Sequence, residues 1–429
     1  MKIKTKALSY DEACRLPPVR HRKPKRPNPL FRSIIRIASL PDLFATRFTY
    51  DFPNKREILS TPSLILMNHS CFLDLEIASA ILYPCAYNIV CTTDGFVGKS
   101  WLMRQIGCIP TQKYVSDTRL IRDMRHALEK NRTHVLMFPE ACYSFDGCAT
   151  PLPRQMGAFL KLLKVPVVMI RTEGAFLRDP LYNNLQKRKV RVSAKCERLL
   201  SAEEIASMSV EELDARLDAA FDFDGFRWQQ EKGVKITERF RADGLERILY
   251  KCASCKSEGT MKGKGTRLSC SACGKSYELD AYGSLVADDG VTEFSHIPDW
   301  YAWERECVKQ ELAQGRYLLD TPVRIAMLVD AKALYMVGEG RLLHTRDGFV
   351  LDGCEGKLHY EQKPLASYEL NADYFWYEIG DVICIGNAKA LYYCFPEKEG
   401  VVSKTRLATE ELYKICYAKK RGETTSSKT

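Results

Sequence analysis

Apolar residues in the first half of the chain come in short runs that stop abruptly at polar turns. Leu64-Ile-Leu-Met67 gives way to Asn68, His69 and Ser70; Thr133 to Phe138 gives way to Pro139 and Glu140; Val165 to Ile170 is a third such run. Runs of strand length with no polar alternation predict strands buried on both faces. Between them, Asp117 to Lys130 has Leu120, Ile121, Met124 and Leu128 at helical spacing, with Arg119, Arg122, Arg125 and Glu129 off that face. The alternation from Ser63 to Ile170 therefore predicts an α/β fold with a largely buried sheet, in which functional groups sit at strand ends. Val190 to Cys196 adds a further strand, and Ser209-Val-Glu-Glu212 is a capping box opening a helix through about Phe221. Asp222 to Arg241 is read as a polar helical continuation.

The flanks have a different pattern. Residues 1–29 are rich in Pro, Lys and Arg and predict an extended, flexible arm. Leu30, Phe31, Ile34, Ile35 and Ile37 then recur at helical spacing, with Arg32, Ser33 and Arg36 opposite, until Pro41 ends the pattern. Beyond Tyr282, short β-prone runs (323–329, 333–337, 374–377, 382–385 and 390–395) are punctuated by Gly and Asp turns, and a helical pattern returns from about Ser403 to Lys420. The expected division is a basic arm at 1–29, an α/β domain at 30–235, a linker and small metal-binding unit at 236–282, a β-rich domain closed by a C-terminal helix at 283–420, and a disordered tail at 421–429.

Composition fits a globular chain of two or three domains, with 45% hydrophobic and 10% aromatic residues among 429. No apolar stretch approaches the roughly 18 to 20 residues that span a bilayer, and no export signal is evident, so the expectation is a cytoplasmic protein without a transmembrane helix. The net charge of +10 is concentrated at the start, where residues 1–36 hold eleven Lys or Arg against Asp11 and Glu12. Such a cluster attracts anionic membrane surfaces and nucleic acid alike. The amphipathic helix that follows has an apolar face that packs on the domain behind it or lies in the bilayer interface, and the second reading gives peripheral association with the cytoplasmic face.

Seventeen cysteines in a chain of this size predict mostly free buried thiols. Four stand apart: Cys252-x-x-Cys255 and Cys270-x-x-Cys273 flank fourteen residues that include three glycines. Paired knuckles of this kind give tetrahedral thiolate geometry and resemble a zinc ribbon, with a structural zinc, since four thiolates leave no open position for water.

The stretch around His69 carries the chemistry. With Ser70 as N-cap, His69 falls at N′ and Asp74 at N4 of a helix, positions whose side chains meet. A carboxylate on one ring nitrogen fixes the tautomer and leaves the other free to accept a proton from a substrate hydroxyl. Cys71 and Cys142 have nothing in the sequence to activate them and are read as packing residues; His134, one residue into an apolar strand, is read as structural.

The order Asn68-His69-x-x-x-x-Asp74, then Gly107-Cys-Ile-Pro110 with Lys113 after a turn, then Phe138-Pro-Glu140, then Val165-Pro-Val-Val168, resembles the glycerolipid acyltransferase family, best known for 1-acylglycerol-3-phosphate acyltransferases. The resemblance covers roughly residues 30–230. It implies transfer of a fatty acyl group from coenzyme A or acyl carrier protein to a lysophospholipid hydroxyl, with His69 as base, Asp74 as orienter and no acyl-enzyme. It also implies acceptor-binding roles for Asn68, Lys113 and Glu140. The family's third motif, Glu-Gly-Thr-Arg, here reads Glu140-Ala141-Cys142-Tyr143, so its arginine is missing, and the basic residue ending the second motif is Lys113 rather than arginine, which loses the bidentate fork suited to phosphate. Arg154, after the Pro-Leu-Pro turn, is the expected substitute. The altered third motif leaves one alternative, an inactive lipid-binding or scaffold protein of the same fold. Nucleic acid is not an expected partner.

Overall fold

The computed structural model describes residues 2–114 and 118–421. The predicted residues 422–429 of the tail and the Asp117 helix start lie outside that range.

A seven-stranded sheet organises the first half. Its order is Thr49–Asp51, Ser193–Leu200, Val167–Glu173, Leu64–Met67, His134–Met137, Tyr87–Thr92 and Cys108–Thr111, all parallel neighbours except the antiparallel pair of Val167–Glu173 with Ser193–Leu200. Leu64–Met67 is the central strand. Its alternation sends Ile65 and Met67 to one face, into a core with Ile77 and Ile81 of helix Leu73–Leu82. Leu64 and Leu66 enter the opposite core with Met124, Leu160, Leu213 and Leu217, from helices Thr118–Arg125, Met156–Leu163 and Val210–Phe221. Both faces are covered, which is why the strand shows no polar alternation.

Local signals account for much of this. The Ser209–Glu212 capping box opens helix Val210–Phe221 as expected. The turn expected at Gly107–Pro110 is instead the strand Cys108–Thr111; it lies at the sheet edge, where Pro110 is tolerated because one side of the strand needs no ladder partner. The helical continuation after Asp222 is short, Gly225–Glu231, with Asp224 as its cap.

The described part of the arm, residues 2–29, is docked rather than free. Thr5–Ala7 pairs parallel with Leu334–Met336 of the C-terminal sheet, and Tyr10–Cys14 is a helix with its own capping box. Residues 21–28 then cross the α/β domain as a strap. Asn88 Nδ2 donates to the Lys25 carbonyl (2.8 Å), Asn131 Nδ2 to that of Pro24 (3.1 Å), and the Asn28 N–H to that of Gln105 (2.9 Å). His21 reaches Asp123 at 2.9 Å. Composition suggested a flexible arm, but two strap carbonyls accept side-chain donors of the domain and a domain carbonyl accepts the Asn28 N–H, and that fixes the path.

The Cys-x-x-Cys pairs flank a four-stranded antiparallel sheet, Met261–Lys264, Arg267–Cys270, Ser276–Leu279 and Leu285–Ala287: Cys252 and Cys255 precede it, Cys270 ends its second strand and Cys273 lies in the turn that follows, and the sheet runs past residue 282. A 17-residue helix, Ile297–Ala313, follows and was not anticipated. Its inward face, with Trp300, Val308 and Leu312, is interrupted by fully buried Glu304, whose Oε1 accepts the Lys251 N–H at 2.8 Å, so the apolar stripe reads as broken. The C-terminal domain is an antiparallel sheet in the order Leu358–Gln362, Gly348–Gly353, Leu334–Thr345, Leu319–Met327, Leu391–Pro396, Gly380–Gly386, Asn371–Trp376, closed by helix Val401–Lys420. One continuous core joins the small sheet, this domain and Phe145 and Phe176 of the α/β domain.

Candidate active site

The parallel pairing of Leu64–Met67 with His134–Met137 lays the ends of the two strands side by side, so the segments leaving them, Asn68–Asp74 and Phe138–Thr150, converge. His69 Nδ1 lies 3.1 Å from Asp74 Oδ2. The same oxygen accepts the N–H groups of Ser70 (2.6 Å) and Cys71 (3.1 Å), and Asp74 is wholly buried. These bonds change the expected capping geometry. The helix starts at Leu73, with Phe72 as an N-cap that makes no side-chain bond, because Asp74 itself takes the two amides that a Ser70 cap would have left open. Imidazole and carboxylate still meet.

Glu140 does not touch the imidazole. Its Oε2 accepts the His69 backbone N–H (2.7 Å), and its Oε1 accepts the N–H (2.9 Å) and hydroxyl (3.2 Å) of Thr150. It ties the two converging segments together. Burial pushes Glu140 up to about 7, against the bonds from Thr150 and His69, which favour the carboxylate. Its successor Ala141 has φ 58°, where a Cβ costs on the order of 1 kcal/mol that glycine avoids. Later in the loop, Gly147 has φ 86° and its Cα faces the Phe176 ring, which a Cβ would meet at 2.6 Å.

The His69 ring is stacked on Phe138 (centroids 4.1 Å apart) and meets Tyr143 edge-on at 4.5 Å. Its side chain is 17% exposed. Burial lowers its pKa below the ordinary 6.5; hydrogen bonding and charge from Asp74 oppose this, and the positive charge of Lys113 adds to it. A neutral imidazole anchored at Nδ1 leaves Nε2 to accept a proton.

Of the other predicted residues, Lys113 stands near this centre. Its Nζ donates to Cys142 Sγ (3.5 Å), as does the Tyr114 hydroxyl (3.1 Å). Burial draws the Lys113 pKa down, but Cys142, Asp373 and Asp94 more than offset this, so the ammonium is held above its ordinary range. Asn68 is turned to its neighbouring strand: Oδ1 accepts the Thr172 N–H (2.8 Å) and hydroxyl (3.1 Å), and Nδ2 donates to the Thr172 carbonyl (3.3 Å). Arg154 is exposed, and its partners among the described residues are the rings of Tyr417 (4.2 Å) and Tyr413 (5.5 Å) on the C-terminal helix. Asn68 and Glu140 thus position the backbone around the base, and Arg154 braces the C-terminal helix. Cys71 is packed in the core beside Ile77, and the N–H of Ser63 donates to His134 Nδ1 (3.2 Å). Asp94 and Asp373, whose negative charges help raise the Lys113 pKa, were not anticipated; neither belongs to a local pattern, and Asp373 comes from the other end of the chain.

The thiols of Cys252, Cys255, Cys270 and Cys273 all lie within 4.8 Å of one another, with sulfur–sulfur distances of 3.8 Å (252 to 273) and 3.7 Å (255 to 270). A zinc with sulfurs at about 2.3 Å sets tetrahedral edges of about 3.8 Å. The four residues fit that ion.

Residues 49–171 match the family model named Acyltransferase. Among solved structures, the crystal structure of the 1-acyl-sn-glycerophosphate (LPA) acyltransferase PlsC from Thermotoga maritima is similar over 44% of this chain and 76% of that one, at 15% identity and a TM-score of 0.37. A search of curated proteins brings up no match.

Proposed function

The chain carries an acyltransferase domain at residues 49–171, which makes it an acyl-transferring enzyme, and from that premise we propose that it moves a fatty acyl group from a coenzyme A or acyl carrier protein thioester to a hydroxyl of a monoacyl glycerolipid. The observation that carries the proposal is the dyad: His69 Nδ1 held 3.1 Å from buried Asp74 Oδ2, with Nε2 left for substrate. In this scheme the acceptor hydroxyl gives its proton to Nε2 as its oxygen attacks the thioester carbonyl. Asp74 stabilises the imidazolium that forms. The tetrahedral intermediate collapses by breaking the C–S bond, and the leaving thiolate takes the proton back, so no acyl-enzyme forms. A placed base of this kind is worth about 10² to 10⁴ in rate.

The acceptor implied by the sequence resemblance, a 1-acylglycerol 3-phosphate, would find Lys113 as its cation. Asn68 and Glu140 support the reaction as positioning residues through the Thr172, His69 and Thr150 bonds. Zinc is proposed as a structural ion at Cys252, Cys255, Cys270 and Cys273; it would crosslink the two knuckles and supply no step.

The lipid substrate is proposed to be met at a membrane surface. Helix Pro29–Ala38 buries none of its residues fully, and Leu30, Ile34 and Ile37 are exposed along one face at i, i+4, i+7 spacing. Phe44 and Trp101 add exposed rings, Trp101 meeting Phe31 edge-on at 5.6 Å. Basic residues of the strap precede this face, a combination suited to an anionic leaflet. No helix among the described residues is long and apolar enough to cross a membrane.

The test is acyl transfer by the zinc-loaded protein from labelled acyl-coenzyme A or acyl carrier protein to a panel of monoacyl acceptors, with His69→Ala alongside. Transfer that falls to background in the variant supports the proposal. Transfer that persists in it removes His69 from the reaction.

A further inference from the structure

Tyr413 and Tyr417 stand one turn apart on helix Val401–Lys420, their rings nearly parallel (18°) with centroids 5.8 Å apart. The Arg154 guanidinium of the α/β domain lies over Tyr417 at 4.2 Å and over Tyr413 at 5.5 Å, and Arg421 approaches Tyr417 at 5.9 Å. Two more rings carry the row inward: Tyr368 meets Tyr413 at 6.4 Å and Tyr114 at 5.3 Å, edge-on in both cases. Tyr114 follows Lys113, and its hydroxyl donates to Cys142 Sγ, next to the Tyr143 ring that meets His69. None of the four tyrosines is fully buried. A row of partly exposed rings thus runs from the loops around the base to the last turns of the C-terminal helix.

The outer end of that row suits an anion. Arg154 is held by ring faces alone: it makes no hydrogen bond or ion pair among the described residues, so its planar fork is oriented while its N–H groups stay available. A guanidinium already ordered by stacking gives up less freedom when it takes a phosphate. Lys419 and Lys420 are exposed in the last turn of the helix. The two acids of the helix do not offset them, because both are buried and taken up elsewhere, Glu410 by Arg305 (2.5 Å) and Arg406 (3.1 Å), Glu411 by Arg305 (3.1 Å) and Lys414 (2.6 Å). Nor is this a face for entering a bilayer, since helix Val401–Lys420, unlike Pro29–Ala38, exposes no large apolar side chain. Flat rings, a stacked guanidinium and neighbouring ammonium groups fit a ligand that joins a purine base to phosphates.

Resting on the acyl-transfer reading above, we propose that Arg154 and Tyr417, with Lys420 beside them, form the subsite for the nucleotide end of the acyl donor, which makes that donor an acyl-coenzyme A. Its phosphates are held by Arg154 and Lys420, its adenine lies against the stack of Arg154 on Tyr417, and its pantetheine arm follows the tyrosine row toward His69. The C-terminal domain then supplies part of the donor site. Arg154 serves the donor rather than the acceptor, the reverse of the role expected from its place in the sequence, and takes no part in the proton transfer.

The experiment titrates full-length zinc-loaded protein with adenosine 3′,5′-bisphosphate, which keeps the base and both phosphate positions of that end of coenzyme A, by calorimetry at low salt. Arg154→Ala and Tyr417→Ala should each weaken binding by about ten-fold, while Tyr417→Phe preserves it. Arg154→Lys, the mildest variant, should still weaken it, because an ammonium keeps the charge but loses the stacked fork. In steady-state transfer, Arg154→Ala should raise KM for acyl-coenzyme A by about ten-fold and leave KM for the monoacyl acceptor in place. No binding of the bisphosphate, binding that Arg154→Ala or Arg154→Lys leaves as it was, or a rise confined to the acceptor KM overturns the proposal. Flotation with phosphatidylglycerol vesicles that falls in Arg154→Ala as far as nucleotide binding does also overturns it, in favour of a general anionic-lipid surface. If the wild type acylates no acceptor, the acyl-transfer reading fails, and the titration by itself then decides whether the nucleotide subsite exists. Thermal melting of each variant separates lost binding from a folding defect.

Discussion

His69 must be neutral to accept a proton, so transfer should rise with pH through its folded pKa and then level off. Because burial holds that pKa below 6.5, the midpoint of the rising limb of kcat/KM should lie below pH 6.5. Asp74→Asn removes the charge that favours the imidazolium, which shifts the rising limb to lower pH, and removes the anchor for the ring, which lowers the plateau by about 10² to 10⁴. A limb that moves upward would mean that another group is titrating. Glu140 makes a second pH signature. Its folded pKa, about 7, lies above the ordinary 4.5, so the native state holds the extra proton between those values. This contribution to stability is therefore complete below about pH 4.5 and is lost as pH rises through about 7, amounting to about 3 kcal/mol at most. Glu140→Gln should flatten that part of the stability profile in denaturant titrations across this range, and an unchanged slope would assign it to other buried acids. The His69–Asp74 pair was legible in sequence because five residues of local spacing determine it. The contact of Tyr114, beside Lys113, with Tyr368 was not, since it joins positions about 250 apart and only the docking of two domains creates it. The roles of Asn68, Glu140 and Arg154 were obscured for a related reason: residue type shows that a polar group is needed, whereas its partners come from Thr172, Thr150 and Tyr417, which no spacing ties to them.

At the scale of elements, strand signals were read well where both faces are buried and less well where chemistry interrupts a pattern. Cys108–Thr111 looked like a turn because of Pro110, and Ile297–Ala313 was passed over because buried Glu304 stands in its apolar stripe. That helix also ties the metal-binding sheet to the rest of the core: Trp300 Nε1 donates to the Lys251 carbonyl (3.0 Å), and its ring meets Tyr277 at 5.1 Å. If four thiolates hold one zinc, a strong chelator should release about one equivalent and shift tryptophan emission to longer wavelength as Trp300 loses its packing. Cys270→Ser should bind metal weakly and melt at a lower temperature than wild type. Retained metal stoichiometry in Cys270→Ser would contradict the four-thiolate site. The effect should be large, since structural zinc contributes about 10 to 16 kcal/mol of apparent binding energy in small zinc-finger peptides.

For the whole molecule, the decisive surface is the one built by helix Pro29–Ala38, Phe44 and Trp101. Burying a large apolar side chain is worth about 1.5 to 3 kcal/mol, so Ile34→Asp with Ile37→Asp should weaken flotation with anionic phosphatidylglycerol vesicles by well over ten-fold. Trp101→Ala should weaken it less. Binding that survives the double substitution would move the contact elsewhere on the molecule. The basic strap should make the same binding sensitive to salt, since charges near the surface act through a screened field.

The short strand at Thr5–Ala7 has a consequence in time. Its partner, Leu334–Met336, is some 330 residues later in the chain. At about 5 to 20 residues per second of synthesis, residues 5–7 wait roughly 15 to 65 seconds on the ribosome before the strand they pair with exists. During that interval the strap that follows them has only the α/β domain to hold it, so a nascent chain arrested near residue 240 should be cut readily by proteases at residues 5–7, while in the finished protein strand pairing holds that backbone against cleavage.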